Sequence, residues 1–291
     1  MFRKLTDALR GSPGPAPEGG VRRIELDYPF HPRPRELRAG AAGKQLLARL
    51  EASVPGARVL AGRIAALDPF LRRIPLAAGP DLDPATPVWR NGWFPPLDAV
   101  TLYGLLALVN PRWLVEVGSG NSTRFARRAI RDHGLRTKIL SIDPCPRAEI
   151  DAICDRVLRA PLEDVELSEL AGLSSEDLLF VDSSHRSFQN SDVTVFFTEI
   201  LPALPPGLLY GIHDIHLPFD YPPEMTDRFY NEQYLLAAYL AGGAGGDEVV
   251  APLMYLYHLS DVPAAYAPTF TAVGLEALER NGNSFWMRRK G

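Results

Sequence analysis

Four apolar segments of this 291-residue sequence end in side chains that can bind a cofactor or move a proton. The first three segments end at Glu116, Asp143 and Asp182, and the fourth ends at the pair His213 and Asp214. A carboxylate in such a position can bind ribose hydroxyls or a cationic group through charge-assisted hydrogen bonds. A histidine beside an aspartate can accept a proton near neutral pH. These residue types predict a site for a nucleotide-like cofactor next to a proton acceptor.

The strands of an open α/β sheet would position these side chains. Short apolar segments predict strands near residues 112–117, 137–142, 156–160, 177–182, 207–213, 249–257 and 283–289, with helices between them. Such a sheet binds its ligands at the carboxyl ends of its parallel strands. Because the polar side chains follow the strands, we expect them to lie together at that edge.

A small-residue turn follows the first of these strands. Gly118 and Gly120 lack a Cβ, so the backbone there can turn tightly and approach a ligand closely. Three good helix-capping residues come next, Asn121, Ser122 and Thr123. A dinucleotide-binding turn would have a third glycine where Thr123 stands, and the Glu116 carboxylate would repel a pyrophosphate. The turn therefore favours a cationic nucleoside ligand.

Five strings of residues occur together between about Asn91 and Leu259. They are Asn91-Gly-Trp-Phe, Glu116-Val-Gly-Ser-Gly, Phe180-Val-Asp-Ser-Ser-His, His213-Asp-Ile-His-Leu-Pro-Phe-Asp-Tyr-Pro and Asn231-Glu-Gln-Tyr-Leu. In these strings the sequence resembles a bacterial branch of the class I S-adenosylmethionine-dependent methyltransferases, often labelled methyltransferase family 24. The resemblance implies a Rossmann-like seven-stranded sheet with helices on both faces, whose last strand is antiparallel and lies beside the fifth. It also implies S-adenosylmethionine as the cofactor and methyl transfer as the reaction.

The cofactor-binding residues that the resemblance implies lie at three strand ends. They are Glu116, Gly118, Ser119, Gly120, Asn121, Ser122, Thr123, Asp143 and Asp182. Among them, Glu116 would attract the cationic part of the cofactor and Asp143 would bind the ribose hydroxyls.

Methyl transfer to a hydroxyl also requires removal of its proton. We expect His213, Asp214 and His185 to be the catalytic residues, with a histidine as the base and Asp182 or Asp214 as its orienting partner. The expected reaction is O-methylation of a small-molecule or sugar-like acceptor. The alternative is that the His-Asp pair only holds two loops together.

A divalent metal ion is the alternative to a metal-free base. Asp182 and Asp214 match two of the positions at which catechol-type O-methyltransferases hold such an ion. His213 stands where a third acid or amide would be expected, which suits Mn, Fe or Zn better than Mg. We prefer the metal-free base.

Two further interpretations come from other classes of protein. An NAD-dependent oxidoreductase can use the same sheet, but Thr123 and Glu116 count against it. A non-catalytic cofactor-binding protein would retain only the pocket. The presence of both histidines with both acids argues against such a loss of catalysis.

Composition restricts the partners and the compartment. The net charge of −4 and a pI of about 5.9 argue against general nucleic-acid binding. No apolar stretch approaches the roughly 20 residues that span a bilayer, and the N-terminus lacks the apolar core of a signal peptide. We therefore expect a cytoplasmic protein that acts on a small molecule, does not bind membranes, and can form homo-oligomers.

The chain divides into three predicted regions. Residues 1–43 read as a flexible Pro/Gly-rich segment, residues 44–96 as a helical extension that covers a pocket, and residues 97–291 as the methyltransferase domain. Within the extension, Pro55-Gly56 predicts a break between two helices. The aromatic string from Trp89 to Pro96 predicts either a pocket wall or a cover over the first strand.

Overall fold

A mixed sheet of seven strands forms the centre of the structure. The strands are β1 (Trp113–Val117), β2 (Lys138–Ile142), β3 (Arg156–Leu158), β4 (Leu178–Val181), β5 (Leu209–Ile212), β6 (Glu248–Pro252) and β7 (Phe285–Arg288). Their order in the sheet is β3-β2-β1-β4-β5-β7-β6. Strands β1 to β5 pair in parallel, and β7 lies antiparallel between β5 and β6. The expected insertion of the last strand beside the fifth is confirmed.

This computed structural model describes residues 27, 31, 33–38, 40–146, 148–170, 172–259 and 261–291. The residues from Pro34 to Gly291 form one unit. Most of the segment 1–43, which was expected to be flexible, lies outside the described residues, and that expectation stays a prediction.

Helices lie on both faces of the sheet. The described α-helices are α1 (Ala41–Ala65), α2 (Asp68–Leu71), α3 (Pro96–Val109), α4 (Asn121–His133), α5 (Asp192–Val195), α6 (Leu201–Ala203), α7 (Glu232–Ala241), α8 (Leu253–Tyr257) and α9 (Asp261–Ala272). A π-helical turn at Phe196–Ile200 joins α5 to α6. None of the described helices is both long and apolar enough to cross a bilayer.

The stretch between β2 and β4 differs from the prediction. Apart from β3, its described residues form only single turns of 3-10 helix, at Asp151–Ile153, Leu162–Asp164 and Leu167–Glu169, whereas we expected helices between all strands. Pro144, Pro146 and Pro161 interrupt this stretch. Because proline removes a backbone donor and clashes with the preceding turn, a longer helix is disfavoured there.

Two apolar cores pack against the two faces of the sheet. Successive residues of a strand point to opposite faces, so Leu114 enters one core and Val115 the other. The same alternation in β7 places Trp286 in the first core, stacked on Phe180 at 5.3 Å between ring centroids, and Met287 in the second. With both faces covered, the central strands β1, β4 and β5 are almost fully buried, and the polar side chains that follow them are held in fixed positions.

Helix α1 continues through the predicted break at Pro55-Gly56, so the prediction of two helices there is wrong. Pro55 leaves the carbonyl of Glu51, one turn earlier, without its helical donor. Both residues are exposed, so water can hydrate that carbonyl. The buried residues of the helix lie on the opposite side, where the hydrogen-bonding pattern is intact.

The sixth strand is shorter than the predicted range 249–257. Strand β6 ends at Pro252, and the following residues form the short helix α8. Leu253 and Leu256, one helical turn apart, are both buried. The apolar run that suggested a longer strand is therefore half strand and half helix, and periodicity over so few residues does not separate the two.

Candidate active site

The glycine turn after β1 lies directly against the end of β4. Gly118 has a φ of +78°, and a Cβ built there would lie 1.8 Å from the carbonyl oxygen of Asp182. The Asp182 N–H donates to the carbonyl of Val117 at 2.8 Å. Both the backbone conformation and the contact require glycine at position 118. By contrast, a Cβ on Gly120 would meet no other atom within 4 Å, because the space beside it belongs to an open cleft.

Glu116 lies beneath this turn and is fully buried. Its Oε2 accepts the Thr123 hydroxyl, and Thr123 Oγ1 in turn accepts the N–H of Gly120 at 2.9 Å. Burial raises the pKa of the Glu116 carboxyl to about 7, although the Ser122 and Thr123 hydroxyls oppose that shift. Glu116 therefore shapes the turn from below and does not line the cleft.

Asp143 connects the same turn to the end of β2. Its carboxylate accepts the N–H of Ser119 and the N–H of Cys145, each at 2.8 Å. A carboxylate has about four acceptor positions, so two backbone donors leave room for further hydrogen bonds. Because Asp143 also lines the cleft, its free acceptor positions are available to a ligand.

The cleft at the carboxyl ends of β1, β2 and β4 has a volume of about 870 Å³. This lies within the range of small-molecule sites, roughly 300–1,000 Å³. Its lining includes most of the predicted cofactor residues: Gly118, Ser119, Gly120, Asn121, Ser122, Asp143 and Asp182. Glu116 and Thr123 lie behind this wall. The residues present therefore fit a cofactor of nucleoside size.

Glu163 is a cleft residue that the sequence reasoning missed. It belongs to the turn after β3 and lines the same cleft. Its Oε2 is buried without a hydrogen-bond partner among the described residues. Burial raises the pKa of this carboxyl, with the nearby Asp192 and Asp164 adding to the shift. The strand was predicted, but Glu163 lies beyond Pro161 in the turn that follows it, so it does not come directly after an apolar segment.

A polar cluster lies at the ends of β4 and β5. The Nε2 of His185 is 3.2 Å from Asp182 Oδ1 and 3.3 Å from Asp214 Oδ2, and His213 Nδ1 is 3.2 Å from Asp182 Oδ1. The structure thus brings together the four side chains that the sequence singled out at these strand ends. The Asp182 carboxyl has a pKa below its ordinary value, because the two histidines outweigh the opposing effect of burial.

The His185 ring is also held in place through its Nδ1 atom. Its Nδ1 lies 2.9 Å from Glu232 Oε2, and both side chains are buried. Burial alone would lower the pKa of His185, but the hydrogen bonds to Asp182 and Glu232 and the charge of Asp214 raise it well above its ordinary value. Glu232 is the first residue of α7, far along the chain from His185, and the sequence marks it only as part of the string that begins at Asn231.

His213 is enclosed more tightly than His185. Its ring lies between Phe94 and Phe180, at centroid distances of 5.3 and 6.1 Å, and its Nε2 is 3.6 Å from Asp98 Oδ2. Burial opposes its charged form, yet the charges of Asp182 and Asp214 raise its pKa well above the ordinary value. Asp98 was also missed, because an acid in the first turn of a helix has an ordinary explanation in helix capping.

Asp214 forms part of a second cleft, of about 600 Å³. It has a φ of +53°, a left-handed conformation unusual for aspartate, and its Oδ1 accepts the amide of Asn283 at 2.9 Å. Its side chain is 16 % exposed, whereas that of His213 is 3 % exposed. Asp214 is therefore the member of the His213-Asp214 pair that solvent or an acceptor can reach.

The aromatic string from Trp89 to Pro96 both packs into the core and lines the clefts. Trp89 and Phe94 are buried in the core beside Phe125. Trp93 is 53 % exposed and lines both clefts. The side-chain amide of Asn91 fixes the loop, since it donates to the carbonyls of Val88 and Phe94 and accepts the N–H of Phe94.

Residues 115–215 match the family described as a methyltransferase domain. That range contains the glycine turn, the β2 acid and the polar cluster. It also contains four of the strands whose order is that of the expected methyltransferase sheet. The family match and the order of the strands agree with the expected methyltransferase fold. A search of curated proteins gave no match.

Several solved methyltransferase structures are similar to this chain at low identity. The methyltransferase PaMTH1 from Podospora anserina, solved with SAH, is 14 % identical over 66 % of this chain and 78 % of that one, with a TM-score of 0.39. An O-methyltransferase from Bacillus cereus in complex with SAH is 13 % identical over 84 % and 98 %, with a TM-score of 0.38. The O-methyltransferase TomG from Streptomyces achromogenes is 14 % identical over 65 % and 78 %, with a TM-score of 0.34.

The polar cluster also has the composition of a metal site. Oxygen atoms of Asp182 and Asp214 and a nitrogen of His185 lie within 4.8 Å of one another. The two acids are those expected as metal ligands, and His185 supplies the third candidate atom. A carboxylate on the far nitrogen of a metal-binding histidine is a common arrangement, and Glu232 occupies that position.

Proposed function

We propose that the protein transfers the methyl group of S-adenosylmethionine to an oxygen of a small-molecule or sugar-like acceptor, with the pair Asp214 and His185 as the base. The position of Asp214 supports this proposal most directly. Its carboxylate is on the wall of the second cleft and only 3.3 Å from His185 Nε2. An acceptor hydroxyl in that cleft would meet a proton acceptor that has a buried histidine behind it.

The cofactor, when bound, supplies a methyl group that its sulfonium charge already activates. The residues of the chain then have three tasks: to bind both molecules, to align them and to exclude water. Asp143 and the backbone around Ser119 are suited to hold the nucleoside part. Asp182 lies on the cofactor cleft and contacts both histidines, so it connects the cofactor to the polar cluster.

The two histidines have different proposed roles. His185 stabilises the charge on Asp214 and receives support from Glu232. His213 is a positioning residue, because it is enclosed by aromatic rings and its two nitrogens face Asp182 and Asp98. In this proposal the proton leaves the hydroxyl for the Asp214 carboxylate, which His185 holds in place.

The test compares Asp214→Asn and His185→Ala with His258→Ala, a variant at an exposed histidine outside the cluster. An acceptor is first found by following S-adenosylhomocysteine release across a panel of hydroxylated compounds. We expect Asp214→Asn to lower turnover by about 10²–10⁴, as for loss of a general base. Its affinity for S-adenosylhomocysteine, measured by calorimetry, should stay close to that of the wild type. Full turnover in both cluster variants would reject the proposed base.

A metal-dependent O-methylation is the second candidate, supported by the three converging atoms of Asp182, His185 and Asp214. A proton on His185 Nε2 and a metal ion at the same nitrogen exclude each other, so the two candidates are separable. A metal-dependent enzyme would lose activity in chelator, recover it with Mn, Fe or Zn, and contain metal by elemental analysis. Asp182→Asn and Asp214→Asn would each lose that metal. We expect chelator to have little effect, which would leave the metal-free base.

A further inference from the structure

Two arginine side chains lie against one aromatic ring beside the polar cluster. The guanidinium carbons of Arg186 and Arg228 are 5.0 and 5.7 Å from the ring centroid of Tyr230. The Tyr230 ring is itself 4.7 Å from the His185 ring. The face of the aromatic ring attracts cations. Tyr230 therefore brings two positive charges close to His185, which belongs to the proposed base.

Neither guanidinium has an acidic partner in the described part of the chain. Arg186 donates to the carbonyls of Arg228 and Ser184, at 2.8 and 3.0 Å. Arg228 donates to the Tyr230 hydroxyl at 3.3 Å. A guanidinium has five N–H donors, so Arg228 in particular retains donors that no described side chain uses.

Arg228 lines the same cleft as Asp214. The other arginine of that wall, Arg90, is paired with Glu279 at 2.6 Å, so its charge is compensated. Arg228 is therefore the uncompensated cation among the described residues of the cleft wall. The cleft offers a carboxylate at one position and an unpaired guanidinium at another.

We propose that the methyl acceptor carries an oxyanion, a carboxylate or a phosphate, that binds Arg228. Arg186, whose guanidinium lies against the same Tyr230 ring, adds positive charge nearby. The planar fork of a guanidinium matches the geometry of both oxyanions and can bind either with two hydrogen bonds. The placement of the acceptor hydroxyl at Asp214 rests on the proposed O-methylation, whereas the oxyanion site at Arg228 does not.

The binding test uses the full chain saturated with S-adenosylhomocysteine and two probes, benzoate and inorganic phosphate, titrated separately at low ionic strength. Arg228→Gln is compared with Arg228→Lys and with Arg136→Gln, an exposed arginine near the start of β2 that pairs with Glu176. We expect at least one probe to bind the wild type and to bind Arg228→Gln about 10- to 100-fold more weakly. Arg228→Lys should fall between them and Arg136→Gln should match the wild type.

The identity of the probe that binds separates a carboxylate acceptor from a phosphate acceptor. The inference is overturned if neither probe binds, or if both bind Arg228→Gln as tightly as the wild type. A transfer assay distinguishes this failure from failure of the proposed function. If a hydroxybenzoate and its neutral hydroxybenzamide are O-methylated with equal kcat/KM, the oxyanion preference is wrong and O-methylation stands. If Arg228-dependent anion binding is found but the methyl group reaches nitrogen or carbon, the oxyanion site stands and O-methylation is wrong.

Discussion

Asp143 holds the glycine turn and, in the proposed function, also binds the ribose of the cofactor. We expect Asp143→Ala to weaken binding of S-adenosylhomocysteine by about 1.5–3 kcal/mol, the range for hydrogen bonds to a charged group. Part of that loss would come from the Ser119 N–H, which the variant leaves without its acceptor. Calorimetry of the variant against Asp261→Ala, at an exposed acid that pairs with Arg58, checks the value. Equal affinity in Asp143→Ala and the wild type would show that this residue does not bind the ribose.

The carboxylate of Glu232 acts on the His185 ring through a buried hydrogen bond to Nδ1. In Glu232→Gln an amide oxygen can still accept from Nδ1, but the negative charge is lost. Because that charge helps to raise the pKa of His185, we expect the pKa to be lower in the variant than in the wild type. Titration of the imidazole nitrogens by NMR measures the change, with Glu199→Gln as an exposed control. An unchanged pKa would mean that Glu232 only positions the ring.

The predictability of the site differs from residue to residue. Asp182, His185 and Asp214 follow apolar strands directly, so the geometry of a parallel sheet was enough to expect them at one edge. Asp98 and Glu232 reach the same cluster from helices that begin far away in the sequence. Only the tertiary packing of α3 and α7 brings them there, and no local pattern encodes that packing.

At the level of elements, β7 depends on the absence of a side chain in its neighbour. A Cβ on Gly211 would lie 2.7 Å from the ring of Trp286, its partner across the β5–β7 pair. We expect Gly211→Ala to lower the free energy of unfolding by about 1–3 kcal/mol, the usual effect of overpacking a core. Urea denaturation measures the change.

Gly62→Ala is the matched control for that experiment. Gly62 lies inside α1 with no atom within 4 Å of a built Cβ. Alanine there should stabilise the protein by about 0.5–1 kcal/mol, because it reduces the freedom of the unfolded chain and favours a helix. If Gly211→Ala were as stable as the wild type, the indole of Trp286 would have to move without loss of packing.

Among the elements, the strands were the most predictable feature. The predicted helix break at Pro55 and the predicted end of β6 were wrong. Seven apolar segments became seven strands, since each is flanked by turns or polar residues and has little choice of partner. The predicted helix break at Pro55 was wrong because the effect of this proline depends on whether the freed carbonyl of Glu51 reaches water. Only the burial pattern of the folded chain reveals that. Strand β6 ended earlier than predicted because Pro252 has no N–H to donate to a neighbouring strand. The apolar residues that follow it form a helix instead.

For the whole molecule, the buried carboxyl of Glu116 makes stability depend on pH. Its pKa is about 7 in the folded protein, above its ordinary value of 4.5. A raised pKa means that the folded state favours the protonated form. This contribution to stability is fully present below about pH 4.5, declines as the pH rises, and is lost above about pH 7.

Replacement of Glu116 by glutamine should remove that dependence. Between about pH 5 and about pH 8 the wild type should lose about 2–3 kcal/mol of unfolding free energy that Glu116→Gln does not lose. The stability of the variant relative to the wild type should therefore rise by that amount. Urea denaturation of both proteins at the two pH values gives the comparison. The other titrating groups cancel in the difference, so a constant difference would show that Glu116 has an ordinary pKa.

The loop from Arg90 to Phe94 is a wall common to the two clefts, with the Asn91 amide holding it in shape. Because this loop separates the two clefts, the cofactor and the acceptor can each enter its own cleft without passing through the other. The kinetic consequence is random addition of cofactor and acceptor, without an obligatory order. An unreactive analogue of the acceptor should then inhibit noncompetitively against the cofactor. Uncompetitive inhibition, the pattern of compulsory cofactor-first binding, would mean that this wall moves during the catalytic cycle.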